Sequence, residues 1–565
     1  MQTTGKQTAW APLLALAAGA GILLAAAMLR GAEYDENYTL LLAAGTPRPA
    51  WPEGVFMAGE AQAVFAGHAS LASIARDLRA TDVHPPLYFW AVAAWRWLAG
   101  PSLFGVRLLS VLCSVVGLGM VGAIARLARV PPARAMLLTV FCYGFAYTGA
   151  IARGFALAQA LSLAGVWLAL LAAGAVSHPS LGSLARGGSG FGRADPHFAF
   201  VAGLCLGAAT LSNYLAVFVA GATLLWLLAW PRAWVAATMG FGFWLQADLW
   251  FYLAQRDSRP GQFPPFSLIG SLPRLAQYAA ANLFGGLPLY VDGLMRALAA
   301  AALATFAVLL VALVVLHWRR IGAAPARHLF TLAALAPPLG LLSLGLVFGQ
   351  TPIELRYLAF ATPFAALLLA GMLSSLPSRW RLGVLAAILA VQGGALLGMV
   401  TRQETMQPAR ATAAAAASLA QGGVVLLPRG NDGVGVVGAF VNEAPPSLLL
   451  SIAEATDSAT TLRARAGDAH RVVLALIGVD AASRATVTAM RAAFAGSACW
   501  REAGSGVNVL GYDRVCQGDE DIPGRLHADE ISPRPAPPGT GRYLRSAGPA
   551  PSAAHAPGRD DASGG

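Results

Sequence analysis

Runs of about twenty apolar residues recur from Trp10 to about Val400, beginning with WAPLLALAAGAGILLAAAML (Trp10–Leu29). Wound as a helix, such a run crosses roughly 30 Å of hydrocarbon, and a backbone in lipid must satisfy its hydrogen bonds within its own segment. The pattern predicts a mainly α, polytopic helical membrane protein. Charged residues are 12% of the 565, about half the share usual in soluble domains. After Trp10–Leu29, candidate spans fall at about 106–125, 135–150, 155–176, 198–212, 214–230, 233–252, 293–316, 329–348, 358–376 and 383–400, eleven in all. The 198–230 stretch has a second reading as one long tilted helix. A cleaved signal peptide competes for the first run, which is long for one and is taken as a retained anchor.

The net charge is +11, but the basic residues lie thinly between apolar runs. That is a topology signal rather than a nucleic-acid patch. Arg126, Arg129 and Arg134; Arg186 and Arg193; Arg232; Arg319, Arg320 and Arg327; and Arg379 and Arg381 occupy alternate loops. The positive-inside rule puts those loops and the N-terminus in the cytoplasm. Segments 31–105, 151–154, 253–292 and 349–357, and all after about Thr401, then lie on the outer face. Lys6 is the one lysine among 39 basic residues, so a phosphate clamp here is built from arginine, which forks onto phosphate.

The first outer loop is too long for a connector. Leu71, Ile74, Ala75 and Leu78 recur at helical spacing, and HPPLYFWAVAAWRWLAG (His84–Gly100) predicts a short second helix opened by Pro85 and Pro86. Both read as interfacial helices, with Tyr88, Phe89, Trp90, Trp95 and Trp97 as an aromatic belt. From 403 the composition changes. A helix at Pro408–Gln421, buried strands in GGVVLLP and HRVVLALIGV, and a helix at Ala481–Ala495 predict a small α/β domain over 403–516. Cys499 and Cys516 flank its last hairpin-like segment, where an outer compartment permits a disulfide. Gly433, Gly435 and Gly438 satisfy G-x-G-x-x-G, with Glu454 near the spacing of a ribose-binding acid. The strand-to-glycine gap argues instead for packing and turns. Residues 517–565 read as a disordered tail.

The outer face collects Asp35 and Glu36 (in GAEYDENYT), Asp82 and His84 (in DVHPPLYFW), Arg107, Arg153, Arg256, Arg259, Arg274, Glu354, Arg356 and Tyr357. A carboxylate can take a proton from a hydroxyl, and arginines can hold a phosphate whose charge grows as it leaves. Acids after the first span, DVHPPLYFW before the second, FGVRLLS, AIARGFALAQAL and ELRYLAFATPFAALLLA together resemble the GT-C superfamily of membrane glycosyltransferases, family 39-like. That branch includes protein O-mannosyltransferases and the aminoarabinose transferase of lipid A. The resemblance covers about residues 10–400. His84 follows the O-mannosyl pattern, where the aminoarabinose branch has lysine, yet the MIR-type insertion of eukaryotic mannosyltransferases is missing.

The resemblance implies a GT-C-like catalytic domain over 1–402 and inverting transfer of a sugar from a polyprenyl-phosphate donor to an acceptor hydroxyl at the extracytoplasmic face. Asp35 takes the role of base and Glu36 a supporting one, orienting an arginine or the acceptor. Arg153, Arg356 and His84 are the donor-phosphate candidates. Asp82, Tyr88, Arg107, Arg256 and Tyr357 are further substrate-binding candidates. No cofactor is required, and no ligand spacing demands a divalent metal. Expected partners are the lipid-linked donor, a glycan, lipid or protein acceptor, and membrane lipids, with no nucleic acid. The expected location is a bacterial inner membrane, with the C-terminal domain outside. The alternatives are a transporter or flippase, and a non-catalytic assembly subunit.

Overall fold

The structure is a computed structural model that describes residues 10–46, 48, 51–174, 195–256, 264–285, 293–401 and 408–516. Arg186, Arg193, Arg259 and the tail from 517 lie outside them. The first apolar run is helix α1 (Trp10–Leu29). The loop after it folds into α2 (Glu36–Ala44), β1 (Phe56–Met57), α3 (Ala58–Ala63), α4 (Leu71–Thr81) and α5 (Leu87–Ala99). The membrane region continues as α6 (Leu103–Leu127), α7 (Pro132–Phe141), α8 (Tyr143–Ala150), α9 (Phe155–Ala172), α10 (Pro196–Ser212), α11 (Val217–Leu227) and α12 (Pro231–Gln255). Then come α13 (Leu268–Phe284), α14 (Gly293–Leu316), α15 (Ala324–Phe348), α16 (Thr362–Ser375), entered through a 3₁₀ turn at Leu355–Ala361, and α17 (Ser378–Thr401).

Every expected span falls on helix, and seven helical segments among the described residues are long and apolar enough to cross a membrane. The others are shorter or more polar. The third expected span breaks at Cys142, which is extended (ψ 123) between α7 and α8. The one-helix reading of 198–230 fails at Asn213, where the backbone is extended and the side chain accepts from the Leu215 N–H at 3.1 Å. On α14 only Leu310 is buried, while Leu294, Val308, Val311 and Val315 stand mostly exposed, as side chains facing lipid tails would.

Helix α4 starts at Ser70, whose hydroxyl accepts from the Ser73 N–H, and buries Ile74 and Leu78. Helix α5 starts behind Pro86. Its aromatic row is not one belt: Tyr88 and Phe89 are buried, whereas Trp97 is 74% exposed. The buried Arg96 explains the difference, because its guanidinium donates to the carbonyls of Leu40 (3.1 Å) and Gly67 (2.9 Å) and pulls α5 onto α2.

The C-terminal region comprises α18 (Ala409–Ala420), β2 (Val424–Pro428), α19 (Gly435–Glu443), β3 (Leu449–Ala453), α20 (Ala459–Ala464), β4 (Arg471–Ala475), α21 (Ala481–Ala495), β5 (Trp500–Gly506) and β6 (Val509–Arg514). The sheet order is β1-β3-β2-β4-β6-β5, with β2 parallel to β3 and β4 and buried along its whole length. Strand β1 comes from the first loop and pairs antiparallel with β3 (Phe56 opposite Leu450). This pairing ties the region directly to the first loop. Arg410 reinforces the join, bonding Glu443 (2.7 Å) and the carbonyls of Leu29 and Arg30. Cys499 and Cys516 form the disulfide, closing the β5–β6 hairpin. The glycines of the G-x-G-x-x-G stretch serve close packing: a Cβ on Gly435 would sit 2.3 Å from the Tyr34 ring, and one on Gly438 2.8 Å from Asn37.

Candidate active site

Asp35 immediately precedes α2, and its side chain makes no cap bond to that helix. It pairs instead with Arg356, whose guanidinium also reaches Glu354 at 2.6 Å. Adjacent helical residues point roughly 100° apart, and Glu36 accordingly turns the other way, into the protein, with no exposure. Arg107 forks onto Glu36, with Nε to Oε1 at 2.8 Å and Nη2 to Oε2 at 2.5 Å. The remaining capacity of Glu36 goes to the backbone N–H groups of Ala152 (2.7 Å) and Glu33 (2.9 Å).

The Ala152 bond matters because the next residue is Arg153. Thr39 holds the Ala152 carbonyl (2.8 Å), and Ser212 holds that of Gly154 (3.1 Å), so the backbone on both sides of Arg153 is fixed. From there Arg153 donates to the backbone carbonyl of Asp35 at 3.2 Å and to Nε2 of His84 at 2.8 Å. His84 meets Asp82 through Nδ1 at 2.6 Å. An Nε2 that accepts from a guanidinium cannot carry a proton, which assigns the neutral tautomer with Nδ1–H donating to Asp82. Asp82 is buried, which alone would raise its pKa, but His84, Arg48 and Arg153 outweigh that and hold it well below the usual carboxylate range. Arg48 contacts its other oxygen at 3.0 Å. Gln255, at the end of α12, donates to the carbonyls of His84 (2.9 Å) and Leu78 (3.0 Å) and clamps the DVH turn.

One polar chain thus runs Glu354–Arg356–Asp35, then Arg153–His84–Asp82–Arg48. It gathers segments that lie hundreds of residues apart in sequence. Asp35, His84, Arg153 and Arg356 all belong to it. Burial pushes the Glu354 carboxyl up to about 7, against the opposing pull of Arg274 and Arg153. Tyr357 stands beside the chain, with the Arg356 guanidinium 5.6 Å from its ring centre.

Four expected site residues are committed to internal contacts. Glu36 is a sealed positioning residue, because all its hydrogen bonds are internal. Arg107 is equally committed, to Glu36 and to the carbonyls of Ala27, Arg30 and Gly31, and is 2% exposed. Tyr88 is fully buried against Ser110, at 2.8 Å. Asp82 is engaged by His84 and Arg48. Arg256 ends α12 on an exposed surface. Arg48 and Gln255 escaped sequence reasoning: one lies 34 residues from its partner, and the other resembles any polar span end. Among the described residues, no three His, Cys, Asp or Glu side chains are grouped to hold a metal ion.

The fold, a bundle of apolar helices joined through its first loop to a mixed sheet, has counterparts among solved structures. ArnT from Cupriavidus metallidurans in the apo state shares it, with a TM-score of 0.50 and 14% identity over 88% of this chain and 97% of that one. The same protein bound to undecaprenyl phosphate gives 0.49 at the same identity and coverage. The apo oligosaccharyltransferase of Archaeoglobus fulgidus gives 0.40 at 13% identity over 70% of this chain and 56% of that one. At these identities the likeness concerns the fold. No protein-family model and no curated protein sequence matches the chain.

Proposed function

We propose that this protein is an inverting glycosyltransferase that moves a sugar from a polyprenyl-phosphate donor to an acceptor hydroxyl at the extracytoplasmic face of a bacterial inner membrane. The observation that carries the reading is the meeting at Asp35 of two arginines fixed by separate loops, Arg356 on its carboxylate and Arg153 on its backbone carbonyl. Asp35 accepts the acceptor proton. The freed oxygen bonds the anomeric carbon as the bond from that carbon to the phosphate oxygen breaks, and the electron pair departs on the phosphate. The leaving phosphate gains a negative charge, which Arg153 and Arg356 neutralise. Arg356 pairs with Asp35 before the donor arrives and exchanges it for phosphate on binding. No step in this scheme uses a metal.

The test is to incubate the purified protein in lipid nanodiscs with a panel of polyprenyl-phosphate sugars and follow loss of donor. Consumption of at least one donor is expected. Failure to consume any, with lipid still bound, would point to the transporter or the assembly subunit.

Glu354 supplies a pH signature. Its folded pKa lies above the unfolded value, so its proton favours the folded site: that contribution is full below about pH 4.5 and is lost as pH rises through about 7. Above that point the ionised carboxylate competes for Arg356. Binding of the donor, a phosphodiester whose charge is constant in this range, is expected to weaken from pH 6 to about pH 8. Glu354→Gln should flatten that profile; an unchanged slope in the variant would remove Glu354 from the site.

A further inference from the structure

One cavity in the structure shares no residue with the Asp35 cluster. It is a crevice of about 490 Å³ at the carboxyl ends of β2 and β3, lined by Trp51 and Glu53 of the first loop and by Arg429, Ile452, Glu454 and Arg465. That size lies within the range of small-molecule sites, and parallel strands open their ligand crevices at this end. In nucleotide-binding sheets, a glycine turn after one strand meets phosphates while an acid beyond the next strand takes vicinal ribose hydroxyls. Here the glycine half is filled, because Tyr34 and Asn37 pack against Gly435 and Gly438 where phosphates would need to approach. The half that would take a diol stays open, with Glu454 just past β3.

The lining has the complementary chemistry. Glu454 pairs with Arg429, both a little over one third exposed, and Arg465 forks onto Asp457 at 2.6 and 3.0 Å. Carboxylate lone pairs and guanidinium N–H groups left over from these pairs can bond neighbouring hydroxyls. Across from them, the Trp51 indole N–H is taken by the Gly433 carbonyl, and its ring stands edge-on to Phe65 at 5.9 Å. The indole is therefore held as a rigid apolar platform for the C–H face of a sugar ring. The platform is tied to the Asp35 loop as well: Asp432, beside Gly433, accepts from the hydroxyl of Tyr34 at 3.1 Å, and Tyr34 adjoins Asp35.

We infer that this crevice is a saccharide-binding subsite, and that it holds the glycan part of the acceptor. The second clause rests on the transferase reading; the first does not. Full-length protein in nanodiscs is examined by saturation-transfer NMR against methyl glycosides of neutral hexoses, N-acetylhexosamines and uronic acids, and donor consumption is read on the same samples. At least one glycoside class is expected to bind. Glu454→Gln and Ile452→Trp, which fills the crevice from its wall, should each weaken binding about tenfold or more, while Asp35→Asn leaves it unchanged. No binding by folded wild-type protein, or binding indifferent to both crevice substitutions, would overturn the inference. Glycoside binding without donor turnover sustains the subsite and sinks the transferase; turnover without glycoside binding sinks the subsite alone.

Discussion

Asp35→Asn is expected to slow sugar transfer by about 10²–10⁴-fold, the contribution of a well-placed general base, while donor affinity stays within a few-fold of wild type. Asparagine matches the shape of the carboxylate and can still accept from Arg356, but it cannot take the acceptor proton at neutral pH. Arg356, relieved of its counter-charge, remains available to phosphate and to Glu354. The loss should therefore appear in the single-turnover rate at saturating donor and not in donor binding, the pattern of an interaction made only in the transition state. Transfer at the wild-type rate by a folded Asp35→Asn protein would end the assignment. Arg356→Met should behave oppositely in binding, weakening donor retention, because it removes a cation from the phosphate.

The two effects were unequally visible in the sequence. Apolar runs near twenty residues announce spans directly, and all the expected ones fall on helix; the break at Asn213 falls between the expected spans 198–212 and 214–230, and only the break at Cys142 escaped, since cysteine is no strong helix terminator. Asp35 and Glu36 could be separated because helix geometry forbids neighbours from facing one centre. Sidedness gathered Arg153 and Arg356 with the other outer arginines, and the resemblance to the glycosyltransferase motifs singled them out. Which arginines are structural was not legible. Arg107 and Arg153 both read as membrane-edge cations, yet one is consumed by Glu36 and three carbonyls while the other reaches His84. That difference depends on contacts between residues 69 or more positions apart, for which no local spacing exists. The two-residue strand β1 is equally silent, too short to show alternation, though it joins the first loop to the C-terminal sheet.

Glu36→Gln tests the buried half of the acid pair and should produce the largest loss of stability. Arg107 is almost entirely enclosed, with its charge balanced chiefly by Glu36. Breaking one side of a buried pair leaves an uncompensated charge, at a cost of about 3–5 kcal/mol. Glutamine adds a second fault, since its amide N–H₂ would face N–H donors from Arg107, Glu33 or Ala152 whichever way it turned. Unfolding free energy in mixed micelles is the measurement. The double substitution Glu36→Gln, Arg107→Met removes both charges and should recover most of the loss, because a buried pair replaced by apolar volume is often neutral. Activity should not recover with it. The Ala152 N–H would still have lost its charge-assisted acceptor, and the Arg153 loop would drift from Asp35 and His84. Stability restored without transfer thus identifies Glu36 as the residue that positions the phosphate-binding arginine; if Glu36→Gln were as stable as wild type, the buried pair could not be what holds the first loop against the bundle.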